Sequence, residues 1–466
     1  MKKYKYEDVI LKEISEPQKD CSLIPIDISD KTIEKRKQKV IEKMNQRKID
    51  ALVIYADLEH GANFEYLVGF LPRFEEALLV LHKDQKAFLV MGNENLNKVS
   101  KARISSQAIH APYFSLPNQP MKNTKCFKDI IKETDIENKR IGVVGWKNFT
   151  SRYEDNRKLF DIPVFIMDAL IELCGKENIT NQTDIFIGEN GVRTINEPDE
   201  IAHYEFGSSL ASDCMLDALN ELSIGVTEME IGNKLSRYGQ RNSVVTIAAF
   251  GQRFIKGNMY PSQRQLKLKD PISLTIGYKG GLSSRAGYGV HSFKELDENI
   301  QDYMQKVCAP YFIAITAWLE NIHVGMTGKE MYDLINEVLP QEKYHWELCP
   351  GHLTADEEWL SSPIYEDSHE LIQSGMLLQT DIIPSVKGYG GISAESTVCI
   401  ADTKLRDKIK KQYPDMYQRM MKRRKYIIEN LGIKLHEDVL PMCSTLAYMR
   451  PFMLSKQATI INHEQK

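Results

Sequence analysis

The chain has 466 residues, of which 42% are hydrophobic and 27% are charged, and its formal net charge is −4. These proportions are ordinary for a globular enzyme, and the length exceeds what one hydrophobic core normally supports, so we expect two domains. The slight acidic excess argues against broad nucleic-acid binding, and no stretch has the apolar length of a membrane span. Eight scattered cysteines without a Cys-x-x-Cys pair are typical of reduced thiols, and the first residues lack a signal-peptide apolar region. We therefore expect a cytoplasmic protein with no nucleic-acid or membrane partner.

In chain order, the predicted elements indicate two folded regions between polar ends. Residues 1–30 form a polar lead. Residues 31–185 read as an α/β domain, whose apolar runs predict strands at 51–55, 77–81, 87–91 and 141–144. A linker at 188–191 leads to a second domain at 192–450, and residues 451–466 form a tail.

A short repeat lies within the second domain. The sequence Ile-Gly-Val-Thr-Glu-Met-Glu at 224–230 recurs 100 residues later as Val-Gly-Met-Thr-Gly-Lys-Glu at 324–330. In each copy the glycine ends one helix and the threonine caps the next. A weaker echo relates Leu-Thr-Ile at 274–276 to Thr-Asp-Ile at 380–382. The repeat predicts a duplicated helix–helix–strand unit.

Five positions in the second domain follow two apolar strands, a Cys-Pro-Gly-His motif and two further strand candidates. They are separated by 11, 66, 29 and 14 residues and are occupied by Thr275, Ala286, His352, Asp381 and Glu395. This pattern resembles the pita-bread superfamily of aminopeptidase P, prolidase, methionine aminopeptidase and creatinase, whose metal-dependent members carry Asp, Asp, His, Glu and Glu there. Residues 63–81 are similar to the N-terminal domain of the prolidase and creatinase branch, and residues 192–201 to the first catalytic-domain helix. The resemblance implies an α+β chain with a duplicated antiparallel sheet covered by helices, preceded by a smaller α/β domain.

The side chains at two of these positions do not suit a two-metal site. A dinuclear centre needs several carboxylates to neutralise both cations, whereas Thr275 offers only a hydroxyl and Ala286 offers no ligand atom. Arg285, if shifted into the second position, would repel cations. We therefore expect no dinuclear centre and no bound cofactor. If a single divalent metal binds, such as Zn, Mn or Fe, its ligands are His352, Asp381 and Glu395.

The catalytic histidines that the resemblance implies are absent. Creatinase, the family precedent for catalysis without metal, has a histidine where this chain has Asn258, and the peptidases have a second histidine where it has Trp359. Asn258 can orient a substrate carbonyl but cannot carry a proton. His352 is therefore the expected general acid or base, with Asp381 and Glu395 as its catalytic partners. The alternative is a buried hydrogen-bonded triad that has lost its metal.

The candidate substrate-binding residues lie in both domains. Glu358 and Trp359 follow His352 in an acidic-aromatic segment that would suit a guanidinium or quaternary amine, unless it is a surface loop with an anchored tryptophan. Phe70 and Arg73 occupy the loop that creatinase-like dimers send to the partner's pocket, where Arg73 would bind a carboxylate or else pair with the neighbouring Glu75 or Glu76. Arg285 is a second carboxylate-binding candidate. The resemblance implies a homodimer with a small-molecule or short-peptide substrate.

Three functional hypotheses follow. The first is an atypical creatinase-like or Xaa-Pro-peptidase-like hydrolase that acts on a C–N bond of a small amide, imidodipeptide or guanidino compound without a dinuclear centre. The second is an inactive pita-bread binding or scaffold protein, as the pita-bread domain of a histone chaperone illustrates. The third is a metal-dependent Xaa-Pro aminopeptidase or dipeptidase. An open site would favour catalysis, and a site closed by Arg285 and Trp359 would favour the scaffold.

Overall fold

The computed structural model describes residues 4–122, 124–252 and 260–463. Asn258, predicted to contact substrate, lies outside these described residues. The chain divides into two compact units, Ile28–Thr194 and a second unit that joins Met1–Asp27 to Ile195–Lys466. All eight cysteines lie in the described ranges, and all are free thiols.

The secondary structure mixes helices and strands throughout both units. The described helices are α1 Asp30–Gln46, α2 Ala62–Val68, α3 Phe127–Lys132, α4 Val164–Cys174, α5 Asp184–Ile187, α6 Pro198–Glu221, α7 Glu228–Leu235, α8 Ala309–Asn321, α9 Gly328–Val338, α10 Gln341–Tyr344, α11 Thr403–Gln412 and α12 Pro414–Asn430. The described strands are β1 Val9–Glu13, β2 Ala51–Ala56, β3 Ala77–His82, β4 Ala87–Met91, β5 Gln107–His110, β6 Ile141–Val144, β7 Ile179–Asn181, β8 Ile247–Phe250, β9 Pro271–Tyr278, β10 Gly281–Tyr288, β11 His352–Leu353, β12 Leu377–Gln379, β13 Ser393–Glu395, β14 Thr397–Ile400, β15 Val439–Pro441 and β16 Ala458–Asn462. None of the described helices is both long enough and apolar enough to cross a bilayer.

The N-terminal unit is built on a six-stranded mixed sheet in the order β5-β4-β3-β2-β6-β7. The four strands predicted from apolar runs correspond to β2, β3, β4 and β6, and every residue in them is buried. Strands covered on both faces read as continuous apolar runs, which is why the sequence revealed them. The core on one face joins β2 and β6 to α4 through Val53, Val143 and Leu170.

The C-terminal unit contains two four-stranded sheets, in the orders β13-β10-β9-β8 and β11-β12-β14-β15. Helix α6 packs on β9 and β10, and its buried Leu210 and Met215 share a core with Leu274 and Ile276. The chain passes from the first sheet to the second within one residue, since β13 ends at Glu395 and β14 begins at Thr397. This passage brings the ends of the two sheets together.

The predicted duplication is present in the C-terminal unit. Gly225 and Gly325 have φ values of 90° and 91°, a left-handed conformation that ends each preceding segment and favours glycine. Thr227 and Thr327 then cap α7 and α9, and each forms a capping box with the glutamate three residues later. Each threonine also makes an isolated antiparallel bridge, to Gln265 or to Leu371, so the two copies match beyond their helices.

The two polar ends of the sequence are part of this unit. Strand β1, from the segment described above as a lead, pairs antiparallel with β16 from the segment described as a tail. The buried Val9 and Ile460 belong to this two-stranded sheet. Five-residue strands that pair only with each other carry too weak a periodic signal to be recognised in sequence. The lead is further fixed by Asp20, whose carboxylate accepts two hydrogen bonds from the buried Arg423 at 2.7 Å each.

Candidate active site

His352, Asp381 and Glu395 converge where the two sheets of the C-terminal unit meet. His352 begins β11, Asp381 follows the end of β12 by two residues, and Glu395 ends β13. Strands β11 and β12 pair antiparallel. The Thr380 N–H donates to the Ser396 carbonyl at 3.0 Å, which joins the chain beside Asp381 to the chain beside Glu395. Backbone pairing therefore holds all three side chains at one point.

The three functional groups face one another at short range. The His352 Nε2 atom lies 3.8 Å from Asp381 Oδ2 and 3.7 Å from Glu395 Oε1. One ligand atom from each residue lies within 4.8 Å of the others, and no other such group of three occurs among the described residues. His352 Nδ1 donates to the Leu353 carbonyl at 3.1 Å, so the lone pair of the neutral ring is on Nε2 and points toward the acids. This is the tautomer that a metal ligand or a proton acceptor requires.

Each of these residues has a buried polar atom that has no hydrogen-bond partner among the described residues. The atoms are His352 Nε2, Asp381 Oδ1 and Glu395 Oε1, and the residues are only 0%, 5% and 6% exposed. Buried polar atoms in proteins are nearly always paired, and leaving one unpaired costs about 1–3 kcal/mol. Three unpaired atoms at one point form a donor set of one imidazole and two carboxylates. That set fits a single divalent cation.

Burial controls the charge of the site. It lowers the pKa of His352 and, together with the neighbouring Glu395, raises the pKa of Asp381 well above its usual range. Burial and the nearby Glu358 likewise raise the pKa of Glu395 well above its usual range. The imidazole is therefore neutral, and its contacts with the two acids are not ion pairs. A bound cation would favour the ionised carboxylates instead.

The positions of the two missing carboxylates lie on the same sheet as Glu395. Ser284 of β10 pairs with both Thr275 and Glu395, so these three residues form one row across the strands. The Thr275 hydroxyl donates to the Ser284 hydroxyl at 3.1 Å. Ala286 lies two residues beyond Ser284 on β10, opposite Ser393. This face of the sheet offers neutral hydroxyls beside Glu395, and Ser284 was missed because only its pairing to Glu395 marks it.

Arg285 does not face the carboxylates, contrary to the expectation that it binds substrate. It alternates with Ser284 and Ala286 on β10, is 1% exposed, and donates all five of its N–H groups within the protein. The acceptors are Ser396 Oγ and the carbonyl oxygens of Ser284, Glu395, Thr445 and Tyr448. It contacts the backbone of Glu395 rather than its carboxylate. No donor remains for a substrate, so Arg285 acts as a structural residue.

Trp359 and Glu358 lie beside the triad. The Trp359 and His352 rings are stacked, with centroids 4.1 Å apart and planes inclined by 20°. Burial raises the pKa of Glu358, whose carboxylate also interacts electrostatically with the triad. Trp359 therefore shields one face of His352, whereas Arg285 takes no part in closing the site.

Phe70 and Arg73 belong to the N-terminal unit. The Arg73 guanidinium lies over the Phe74 ring, 4.5 Å from its centroid, and makes no ion pair with any described residue. Glu75, its expected alternative partner, is buried and accepts hydrogen bonds from the Glu94 N–H and the Asn95 side chain. Arg73 is thus exposed and available for an external anion.

Comparison with known proteins supports the architecture. Residues 36–181 match the creatinase/prolidase N-terminal domain family. No curated protein sequence matches the chain. The solved Xaa-Pro dipeptidase from Bacillus anthracis aligns over 80% of this chain and 96% of its own, with a TM-score of 0.59 and 15% identity. The chain therefore shares the fold of this dipeptidase over most of its length.

Other pita-bread structures resemble the chain to the same degree. The prolidase from Pyrococcus furiosus aligns with a TM-score of 0.57 at 18% identity, covering 78% of this chain and 96% of its own. The X-Pro aminopeptidase from Thermotoga maritima aligns with a TM-score of 0.60 at 16% identity, covering 78% and 95%. At identities this low, the structural alignments show a shared fold only, and the reaction must be inferred from the residues of the site.

Proposed function

We propose that this pita-bread protein is a hydrolase that cleaves a C–N bond in a small amide or short peptide at a site built for one cation. The observation that carries the proposal is the set of three unpaired buried atoms on His352, Asp381 and Glu395. Solved structures of the same fold include an Xaa-Pro dipeptidase and an X-Pro aminopeptidase, which supports a related reaction type.

The five positions that match the superfamily's metal ligands divide into three that supply ligands and two that supply no charged group. His352, Asp381 and Glu395 would hold one divalent cation, which in such sites polarises a carbonyl and lowers the pKa of a bound water. Thr275 and Ala286 supply no charge for a second cation. The residues alone favoured a site without metal, and the three unpaired atoms now favour a mononuclear one.

The protein groups around the reacting bond have separate tasks. The hydrogen bond from His352 Nδ1 to the Leu353 carbonyl keeps the Nε2 lone pair directed at the acids. Trp359 excludes water from one face of that ring. With a cation bound, Asp381 and Glu395 would be ionised, and a carboxylate oxygen that does not hold the cation could accept a proton from an attacking water and return it to the leaving amine.

The test is hydrolysis by the purified protein with and without added Mn²⁺ or Zn²⁺, using amino-acid amides, Xaa-Pro dipeptides and guanidino acids. His352→Ala and Glu395→Gln should lower turnover by about two to four orders of magnitude, the usual effect of a positioned proton-transfer or ligand group. Glu357→Gln, which changes a neighbouring acid of the same loop, is the matched control. A folded, cation-loaded wild type that cleaves none of these substrates would contradict the proposal.

A scaffold without catalytic activity is the second candidate, because Trp359 covers a His352 ring that is 0% exposed. In that case His352→Ala should change the free energy of unfolding by about 1–3 kcal/mol, and no variant or wild type should show turnover. Thermal unfolding and turnover measured on the same variants separate the two candidates.

We also propose that the protein forms a homodimer in which Phe70 and Arg73 reach the partner's site. The exposed Arg73 has no ion-pair partner in the described part of the chain, which leaves its guanidinium available to a substrate carboxylate. A loop that completes a neighbour's site requires an oligomer, most simply a twofold dimer.

A further inference from the structure

A short hairpin places an acid and an aromatic ring next to the triad. The Leu353 N–H donates to the Ser361 carbonyl at 2.7 Å, which closes a loop that carries Glu358 and Trp359. Because Trp359 stacks on His352, the loop is folded back over the first residue of β11. The hairpin therefore belongs to the site and is not a loop projecting into solvent.

No positively charged side chain among the described residues pairs with Glu358. Glu358 is half-buried, and its carboxylate has no hydrogen bond or ion pair with any described residue. Arg285 donates to four backbone carbonyls and the Ser396 hydroxyl, and Lys279 pairs with Asp356 at 3.2 Å. One divalent cation would neutralise Asp381 and Glu395 and leave the third carboxylate uncompensated. Burial disfavours the charged form of Glu358, so an opposite charge placed beside its carboxylate would stabilise that form.

Trp359 offers a complementary surface for that charge. One face of the indole is covered by the His352 ring, yet the residue remains 41% exposed. Tryptophan is the strongest aromatic partner for a cation placed over its face. The indole stacks on the His352 ring, and the Glu358 carboxylate interacts electrostatically with the same ring, so both side chains lie beside one imidazole.

We propose that Glu358 and Trp359 form a subsite for an organic cation, so that the substrate carries an ammonium or guanidinium group close to the C–N bond that is cleaved. That the bound cation is part of a substrate rests on the proposed hydrolase function, whereas Glu358 and Trp359 can bind a cation without any turnover. The subsite would bind a cationic group, whereas the sequence had suggested that Arg285 binds a carboxylate. The described side chains around the triad are acidic, which favours the cation.

The test is binding of butylguanidinium and of butylurea, its neutral counterpart of the same shape, to the full-length protein by isothermal titration calorimetry. We expect butylguanidinium to bind at least about tenfold more tightly than butylurea. Glu358→Gln should abolish that preference. Trp359→Leu should weaken butylguanidinium binding several-fold, and Trp359→Phe should restore part of it. Glu357→Gln, one residue away, should leave both ligands unaffected.

Equal binding of the two probes by the wild type, or an unchanged preference in a folded Glu358→Gln variant, would overturn the subsite. Thermal unfolding of each variant shows that a lost preference is not lost structure, and Trp359→Phe keeps an aromatic ring if Trp359→Leu does not fold. A protein that prefers butylguanidinium but hydrolyses nothing would remove the proposed function and keep the subsite. Turnover of neutral and cationic substrates at equal rates would support the proposed function and remove the subsite.

Discussion

Replacing Arg285 with methionine should destabilise the protein without removing a substrate contact. The guanidinium makes five hydrogen bonds, with distances between 2.6 and 3.2 Å for four of them, to five oxygen acceptors in the protein. Each such bond to a charged group contributes about 1.5–3 kcal/mol, but the deletion also relieves the desolvation of a buried charge. Methionine fills much of the vacated volume. We therefore expect a net loss of about 3–5 kcal/mol, the range found when one partner of a buried charged network is removed.

Thermal unfolding is the direct assay. At about 2–4 °C per kcal/mol, with the lower value suited to a large unit, Arg285→Met should lower Tm by about 6–10 °C. Arg285→Lys should lie between the variant and the wild type, because an ammonium keeps the charge but has only three donors. Arg157→Met, which removes a half-exposed ion pair with Asp184, should change the unfolding free energy by no more than about 1 kcal/mol. An Arg285→Met protein as stable as the wild type but with a raised KM for carboxylate-bearing substrates would refute the structural role.

Three further predictions follow from particular contacts. Burial raises the pKa of Asp213 to about 6, above its ordinary 3.8. The folded protein therefore holds this proton more tightly than the unfolded chain does, and the free energy of unfolding falls as pH rises from about 4 through about 6. Asp213→Asn should therefore exceed the wild type in urea stability at pH 7 by at most about 3 kcal/mol and match it near pH 4, and a pH-independent difference would contradict this. Thr227→Ala and Thr327→Ala should each lower the free energy of urea unfolding by about 1 kcal/mol, because each threonine caps a helix. Replacing either threonine with serine should leave this free energy nearly unchanged, and an equal loss in the serine variants would exclude capping. Sedimentation at micromolar concentration should show a dimer, and Arg73→Ala should lower kcat/KM about 10- to 100-fold for carboxylate substrates, whereas a monomer with unchanged turnover would remove the shared site.

The sequence was sufficient to predict the architecture because its strongest signals are long-range patterns. Four fully buried strands of the N-terminal unit appear as apolar runs, and the Gly-x-Thr repeat identifies the duplicated unit through conformations that the structure contains at Gly225 and Gly325. The convergence of His352, Asp381 and Glu395 was predicted from the resemblance to the pita-bread superfamily, whose metal ligands occupy the matching positions. Each of these features depends on residue type at fixed positions, which is what a sequence records.

The direction of individual side chains and the pairing of the two chain ends could not be predicted from the sequence. Arg285 was expected in the site because it adjoins Ala286, which occupies a metal-ligand position of the superfamily, yet a one-residue step on a strand turns the side chain to the opposite face. The antiparallel pair of β1 and β16 joins residues more than 440 positions apart, with no local signal in either strand. The stacking of Trp359 on His352 depends on a hairpin whose closure is a backbone contact, and its residues alone were equally compatible with a surface loop.

The cation content of the site tests the central claim most directly. Metal-free protein titrated with Mn²⁺ or Zn²⁺ by calorimetry, with elemental analysis after dialysis, should bind one equivalent. Glu395→Gln and His352→Ala should each weaken that binding at least about tenfold, since each removes one of three ligands. Glu357→Gln should bind like the wild type. Two equivalents would show that Thr275 and Ala286 do not prevent a second metal site, and no binding to folded protein would show that the three unpaired atoms do not form a cation site.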